Sequence, residues 1–245
     1  MINHNNTTKN EENNTKNSRS TVSHLRGLMP TRQIRTWEAR RVAETQAYRL
    51  RILLGDNAPG FDMDQITAMP RIEVSIDSDI AASGTTHWQA GSWRIQINGN
   101  EALVRQRFTL AHEFKHVLDA PLLDSTYASI ADQIDGEQQI EQICDYFAAC
   151  LLMPKRWVKR LWGEGITNLD ALADAFDVST IAMKRRLEDI GLVDRPTRSH
   201  RAQIKQRSQQ KIDPDWFKTA GLPPGSPHYR RALPSASRPL LKEVA

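Results

Sequence analysis

The sequence has too few cysteines for a disulfide framework. Only Cys144 and Cys150 occur in its 245 residues, and six positions apart on one helix they point to different faces, too far apart to bridge. They read as buried packing residues of a protein kept in a reducing compartment. A long apolar run is missing as well. No stretch approaches the ~20 residues needed to span a bilayer, and the N-terminus lacks the apolar core of a signal peptide, so a cytoplasmic location with no membrane partner is expected. The opening residues, with Asn5-Asn6-Thr7-Thr8-Lys9-Asn10-Glu11-Glu12-Asn13-Asn14, offer almost no apolar surface and read as a disordered tail over 1–34. No internal repeat is evident.

Charge is segregated behind a net value of +4. Residues 195–245 hold 11 Lys or Arg against 3 Asp or Glu, residues 1–34 hold 5 against 2, and the body 35–194 holds 17 against 24. The body is acidic and both ends are basic. The C-terminal stretch, with Trp216, Phe217 and Tyr229 as its few apolar anchors, reads as a flexible tail suited to an acidic partner, to nucleic acid, or simply to water.

Within the body, Trp37, Val42, Ala43, Ala47, Leu50 and Leu54 recur at helical spacing, which predicts a helix over 35–54 docked on the core and ended by the Gly55 to Gly60 turn. Ile72 to Ile76 and Trp93 to Ile97 alternate as strands. The second is expected to be an edge strand, either open to an extended peptide beside a cleft or an ordinary edge of a small antiparallel sheet. Residues 119–136 read as a loop with a short helix. Residues 137–153 read as a helix stopped by Pro154, with Ile140, Cys144, Phe147 and Leu151 as its main apolar stripe. Asn168 to Leu187 has the rhythm of a helix-turn-helix. Ser179 is its natural N-cap, and Lys184, Arg185 and Arg186 lie on the second helix, where they suit either groove contacts or a structural helical pair.

The most specific pattern is His112-Glu113-Phe114-Lys115-His116. Asn100 is expected to cap a helix over about 101–118, with Arg105, Thr109, His112, His116 and Asp119 in a polar stripe and Leu103, Leu110, Phe114, Val117 and Leu118 opposite. On that helix His112 and His116 stand about 40° apart around the axis, so both imidazoles reach one tetrahedral cation. Glu113 points about 100° away from His112, poorly placed as a ligand but well placed as a proton acceptor. Zinc suits these nitrogens and leaves a position open for water, whose pKa it brings to roughly 7.

A third ligand stands downstream. Glu141 and Asp145 share a stripe of the 137–153 helix that continues into Ala148 and Leu152 and is expected to be buried. A carboxylate there must be paired or must coordinate a metal. Glu141 completes the ligand set, and Asp145, one turn on, accepts the free ring N–H of one histidine and sets its tautomer. The bland reading is an exposed acidic turn beside Glu137. No side chain is assigned to the oxyanion. Tyr146 and His87 are the two considered, and His87 reads rather as a surface-turn histidine.

The run Arg105-Gln106-Arg107-Phe108-Thr109-Leu110-Ala111-His112-Glu113-Phe114-Lys115-His116, followed by Glu141-x-x-x-Asp145-Tyr146-Phe147-Ala148-Ala149-x-Leu151-Leu152-Met153-Pro154, resembles the ImmA/IrrE family of zinc metallo-endopeptidases over about residues 60–194. The resemblance implies a thermolysin-like site with Glu as third ligand, and a repressor or other regulatory protein as substrate. Two positions depart from the family pattern. Lys115 stands where Gly commonly precedes the second His, and Cys144-Asp145 where Ala-Asn is usual.

The expected protein is α+β. It has a disordered tail (1–34), a small zincin-like metalloprotease core (35–153) with a short antiparallel or mixed sheet on the motif helix, a helix-turn-helix-like segment packed on the core (154–194), and a basic tail (195–245). The expected activity is zinc-dependent endopeptidase cleavage of a repressor-type protein, with His112, His116 and Glu141 on Zn2+, Glu113 catalytic and Asp145 behind a ligand histidine. The competing reading is a DNA-binding regulator that uses residues 168–190 and the basic tail, with a structural or sensory metal site.

Overall fold

Alternating side chains at 72–77 and 92–98 build two of the three strands of a small sheet in a computed structural model that describes residues 21–194. The chain runs through helical residues 21–26 (α1), Thr36–Leu53 (α2) and Asp64–Thr67 (α3), then strands Ile72–Asp77 (β1), Gly84–Gln89 (β2) and Ser92–Asn98 (β3). Leu103–Asp119 (α4) follows, then a 3-10 turn at Ala120–Leu122, Ala128–Ala131 (α5) and Gly136–Leu152 (α6). Lys155–Gly163 (α7), Leu169–Phe176 (α8) and Thr180–Asp189 (α9) close the described region. The architecture is α+β, mostly helical.

The sheet is mixed, in the order β1-β3-β2. β1 and β3 run parallel with Val74 opposite Ile95, and β2 and β3 form an antiparallel hairpin with Thr86 opposite Ile95. The hairpin turns at Ala90 (φ 50°) and Gly91 (φ 86°). Two successive left-handed residues give a two-residue turn the twist of its strands, and Gly91 adopts that conformation without steric cost. β3 is therefore central, which corrects its expected edge position. The edge beside α4 belongs to β2, which hydrophobic alternation did not predict because its helix-facing positions begin with Gly84 and Thr86.

α4 and α6 bury Leu110, Phe114, Val117, Ile143, Phe147 and Leu151 between the sheet and α2, and the Phe114 and Phe147 rings lie 6.2 Å apart. Trp157, Leu161, Leu172, Phe176, Met183 and Leu187 of α7 to α9 join the same apolar cluster. So do Leu25, Met29 and Ile34, which corrects the expected tail boundary at residue 34. Three apolar side chains in ten positions are enough to dock that stretch. The residues before 21 and after 194, including the basic tail, lie outside the described residues.

Three local expectations also change. α4 begins at Leu103 with Ala102 as N-cap, while the Asn100 side chain instead donates to the Ser78 carbonyl. Trp37 and Leu103 are exposed rather than packed, because each sits in the first turn of its helix beyond the reach of the core. On α9, Ser179 does cap, accepting from the Ala182 amide. Arg186, however, is buried and donates to the Met153 carbonyl at 2.9 Å, leaving Lys184 and Arg185 as the exposed basic pair.

Candidate metal centre

α4 and α6 pack so that the turns carrying His112 and His116 face the turn carrying Glu141. His112 Nε2 lies 3.1 Å from His116 Nε2 and 3.1 Å from Glu141 Oε2, and His116 Nε2 lies 3.3 Å from Glu141 Oε1. Metal–ligand bonds of 2.0–2.1 Å in a tetrahedron put neighbouring ligand atoms about 3.3 Å apart. The two nitrogens stand at that spacing from each other and from the Glu141 carboxylate, whose two oxygens each face one ring, and two imidazole nitrogens with one carboxylate are a donor set for zinc. The donors fit such an ion.

The far nitrogens of the two rings have their own partners. His112 Nδ1 lies 2.9 Å from Asp145 Oδ1. An ionised carboxylate only accepts, so Nδ1 carries the proton and Nε2 keeps its lone pair for the centre. Burial pulls the His112 pKa down, but the hydrogen bond and charge of Asp145, with Glu113 and Glu141, outweigh it and leave it raised. A proton and a cation therefore compete for Nε2. His116 Nδ1 faces Cys144 Sγ at 3.8 Å. His112, His116 and Cys144 thus form a second cluster of ligand-type atoms, but the sulfur lies against the ring nitrogen farther from Glu141. Burial pushes the Cys144 thiol well up, so it is protonated at neutral pH.

Glu141 and Asp145 are about half exposed, at 50% and 56% of their side chains, which corrects the expectation of a buried stripe. The buried face of α6 is centred on Ile143, Cys144, Phe147 and Leu151, so the two carboxylates lie on its flank, between the histidines and water. Asp119, expected in the solvated polar stripe of α4, is buried instead. Its Oδ1 accepts from Lys115 Nζ at 2.6 Å and its Oδ2 from Tyr127 Oη at 2.7 Å. Lys115 also donates to Gln46 on α2 at 2.8 Å. The lysine that departs from the family pattern is thus the hub of a buried network behind the motif.

Glu113 is 7% exposed and accepts a 2.6 Å hydrogen bond from Thr86 Oγ1 on β2. Gly84, two residues earlier on the same face, lets the strand lie against α4. A Cβ there would stand 2.5 Å from Thr109 Cγ2 and 2.9 Å from Glu113 Oε1. Sequence reading missed Gly84 and Thr86, and its one available signal was a glycine amid β-formers, which marks a close backbone approach. The two oxyanion candidates do not face the centre. Tyr146 turns its hydroxyl to Glu44 at 3.4 Å, with Arg40 stacked on its ring at 4.4 Å. His87 is exposed, and strand alternation sends it to the opposite side of the sheet from Thr86.

Residues 74–188 match the family model of the IrrE N-terminal-like domain, in the M78 class of peptidases. This stretch, just under half of the chain, is similar to the ImmA/IrrE metallopeptidase family. Over 93 residues the chain is 41% identical to the radiation response metalloprotease IrrE of Deinococcus deserti, a match covering 35% of this chain and 32% of the relative. The chain thus matches about a third of that relative's length. A transcriptional regulator of Mycobacterium tuberculosis shares the fold, with a TM-score of 0.51 and 16% identity over 69% of this chain and 51% of that one.

Proposed function

We propose that this ImmA/IrrE-like domain makes the chain a zinc-dependent endopeptidase that hydrolyses a regulatory protein of the repressor type. One observation carries the reading. Two histidine nitrogens and a carboxylate from a different helix converge at 3.1–3.3 Å beside the buried carboxylate of Glu113. His112, His116 and Glu141 would hold the ion. Zinc bound there supplies Lewis acidity, polarising a carbonyl and bringing the pKa of water to about 7.

The chain's own residues do the rest. Glu113, aimed by Thr86, takes the proton from the attacking water as its oxygen bonds to the scissile carbon, and returns it to the leaving amine nitrogen as the C–N bond breaks. Asp145 holds His112 in the tautomer that offers Nε2. The open edge of β2, the strand that carries Thr86, offers backbone groups to an extended substrate. The choice of a regulator as target rests on the family resemblance. The DNA-reading alternative is weakened because Arg186, one of its three basic residues, is spent inside the fold.

The test co-expresses the chain and its Glu113→Gln form with the regulatory proteins encoded nearby and compares fragments by mass spectrometry. Glu113→Gln is expected to retain zinc by elemental analysis and to lose about 10²–10⁴-fold in cleavage, the worth of a positioned general base. His116→Ala is expected to lose the zinc itself. Equal cleavage by the parent and Glu113→Gln would remove Glu113 from its role and the reading with it.

A further inference from the structure

The two helices that carry the motif continue past it as the walls of a groove. Counting back along α4, Phe108 and Arg105 lie one and two turns before His112, and counting forward along α6, Asp145 and Ala149 lie one and two turns after Glu141. All four line a cleft of about 580 Å³ that α9 closes on the far side. Asp145 is shared between the cleft and the His112 hydrogen bond. The groove therefore begins where the metal centre ends. Its volume falls within the range of about 300–1,000 Å³ of specific binding sites.

Its lining has one prevailing sign. Arg40, Arg105, Arg185 and Arg186 meet two acids, Asp145 and Asp189, and Asp145 is already committed to His112. Arg186 is held by the Met153 carbonyl, but Arg40 and Arg185 form no ion pair among the described residues, and Arg40 only stacks on the Tyr146 ring. Arg105 shares Glu101 at 3.6 Å while its side chain stays 54% exposed. On the α9 side Ile181 is 66% exposed and on the α4 wall Phe108 is partly so, leaving large apolar surface uncovered in a concave site.

We propose that this groove takes an acidic segment of the substrate, with a large apolar side chain beside its carboxylates, and thereby selects which peptide bonds reach the metal centre. The inference rests on the endopeptidase reading for its occupant and on charge complementarity for its chemistry. Both ends of the sequence are net basic, so charge favours a separate acidic segment as the occupant. A concave cleft with two acids in its wall also differs from the continuous basic stripe that tracks a nucleic-acid backbone.

The test uses the full chain as Glu113→Gln, loaded with zinc, so that bound peptide stays intact. Fluorescein-labelled peptides alternating Leu with Glu, with Gln or with Lys are titrated by fluorescence polarisation. The Glu peptide is expected to bind about tenfold tighter than the Gln peptide, and Arg185→Glu to erase that preference. Lys184→Glu makes the same charge change one residue away, outside the groove, and is expected to leave the preference intact. Equal binding of the Glu and Gln peptides overturns the proposal, as does an equal effect of the two substitutions. Displacement of the Glu peptide by a single-stranded oligonucleotide whose own binding needs Arg185 would make the groove a nucleic-acid surface and overturn it too. Failure of the endopeptidase reading looks different. Acidic peptides would then bind as described, yet the parent chain would cleave no regulator.

Discussion

At the scale of single residues, two short contacts define the site besides the histidine–carboxylate triangle: Asp145 on His112 and Thr86 on Glu113. Each fixes one side chain that would otherwise rotate. Thr86→Val keeps the shape of the strand but removes the one side-chain hydrogen bond that the Glu113 carboxylate accepts among the described residues. A hydrogen bond to a charged group is worth about 1.5–3 kcal/mol, so turnover is expected to fall at least about tenfold. Steady-state kinetics on a cleaved regulator check this, with kcat expected to carry the loss and zinc content to stay unchanged. A change in KM alone would mean that Thr86 meets substrate rather than Glu113. The pair His112 and Glu113 was legible in the sequence because it is local, four letters from His116. Thr86 was not, because its partner lies 27 positions away.

At the scale of elements, α4 is held on two sides by unlike devices. On the sheet side it is the absence of a side chain. Gly84→Ala would drive a Cβ against Thr109 and Glu113, costing about 1–3 kcal/mol by overpacking and lifting β2 away from the Glu113 carboxylate. Denaturant unfolding should register the lost stability, and cleavage should fall with it. On the other side the device is a buried charge. Lys115 ties α4 to α2 through Gln46 and to the 3-10 turn and α5 region through Asp119 and Tyr127. Lys115→Met leaves Asp119 buried without its cation, an arrangement that costs about 3–5 kcal/mol. Urea unfolding should show the unfolding free energy in water falling by that amount. A loss under about 1 kcal/mol would mean that water reaches Asp119 and the site is less enclosed than the geometry implies.

At the scale of the whole molecule, a single apolar cluster runs from Leu25 to Leu187, so the metal helices and the helical segment after Pro154 share one interior. Cys150 lies in it and Cys144 is buried on the same helix, and burial raises both thiols. Protonated and enclosed, they are expected to react with iodoacetamide only as the protein unfolds globally, in step with loss of helical circular dichroism. Alkylation that runs ahead of that loss would mean α6 opens on its own. The helices over 36–53 and 136–152 were legible to within a residue at each end, because apolar periodicity is written in consecutive letters. The approach of His112, His116 and Glu141 was legible for the same reason, two donors on α4 and a third on α6 with its own regular spacing. What the linear order could not carry was decided by packing. The sheet order put β2 rather than β3 at the edge, the docking of α1 pulled residues 21–34 out of a presumed tail, and the approach of α2 and the α5 region turned Asp119 from a member of the polar stripe into the buried partner of Lys115. Local pattern determines which face of an element is apolar, but only the assembled neighbours determine which polar groups are left facing water.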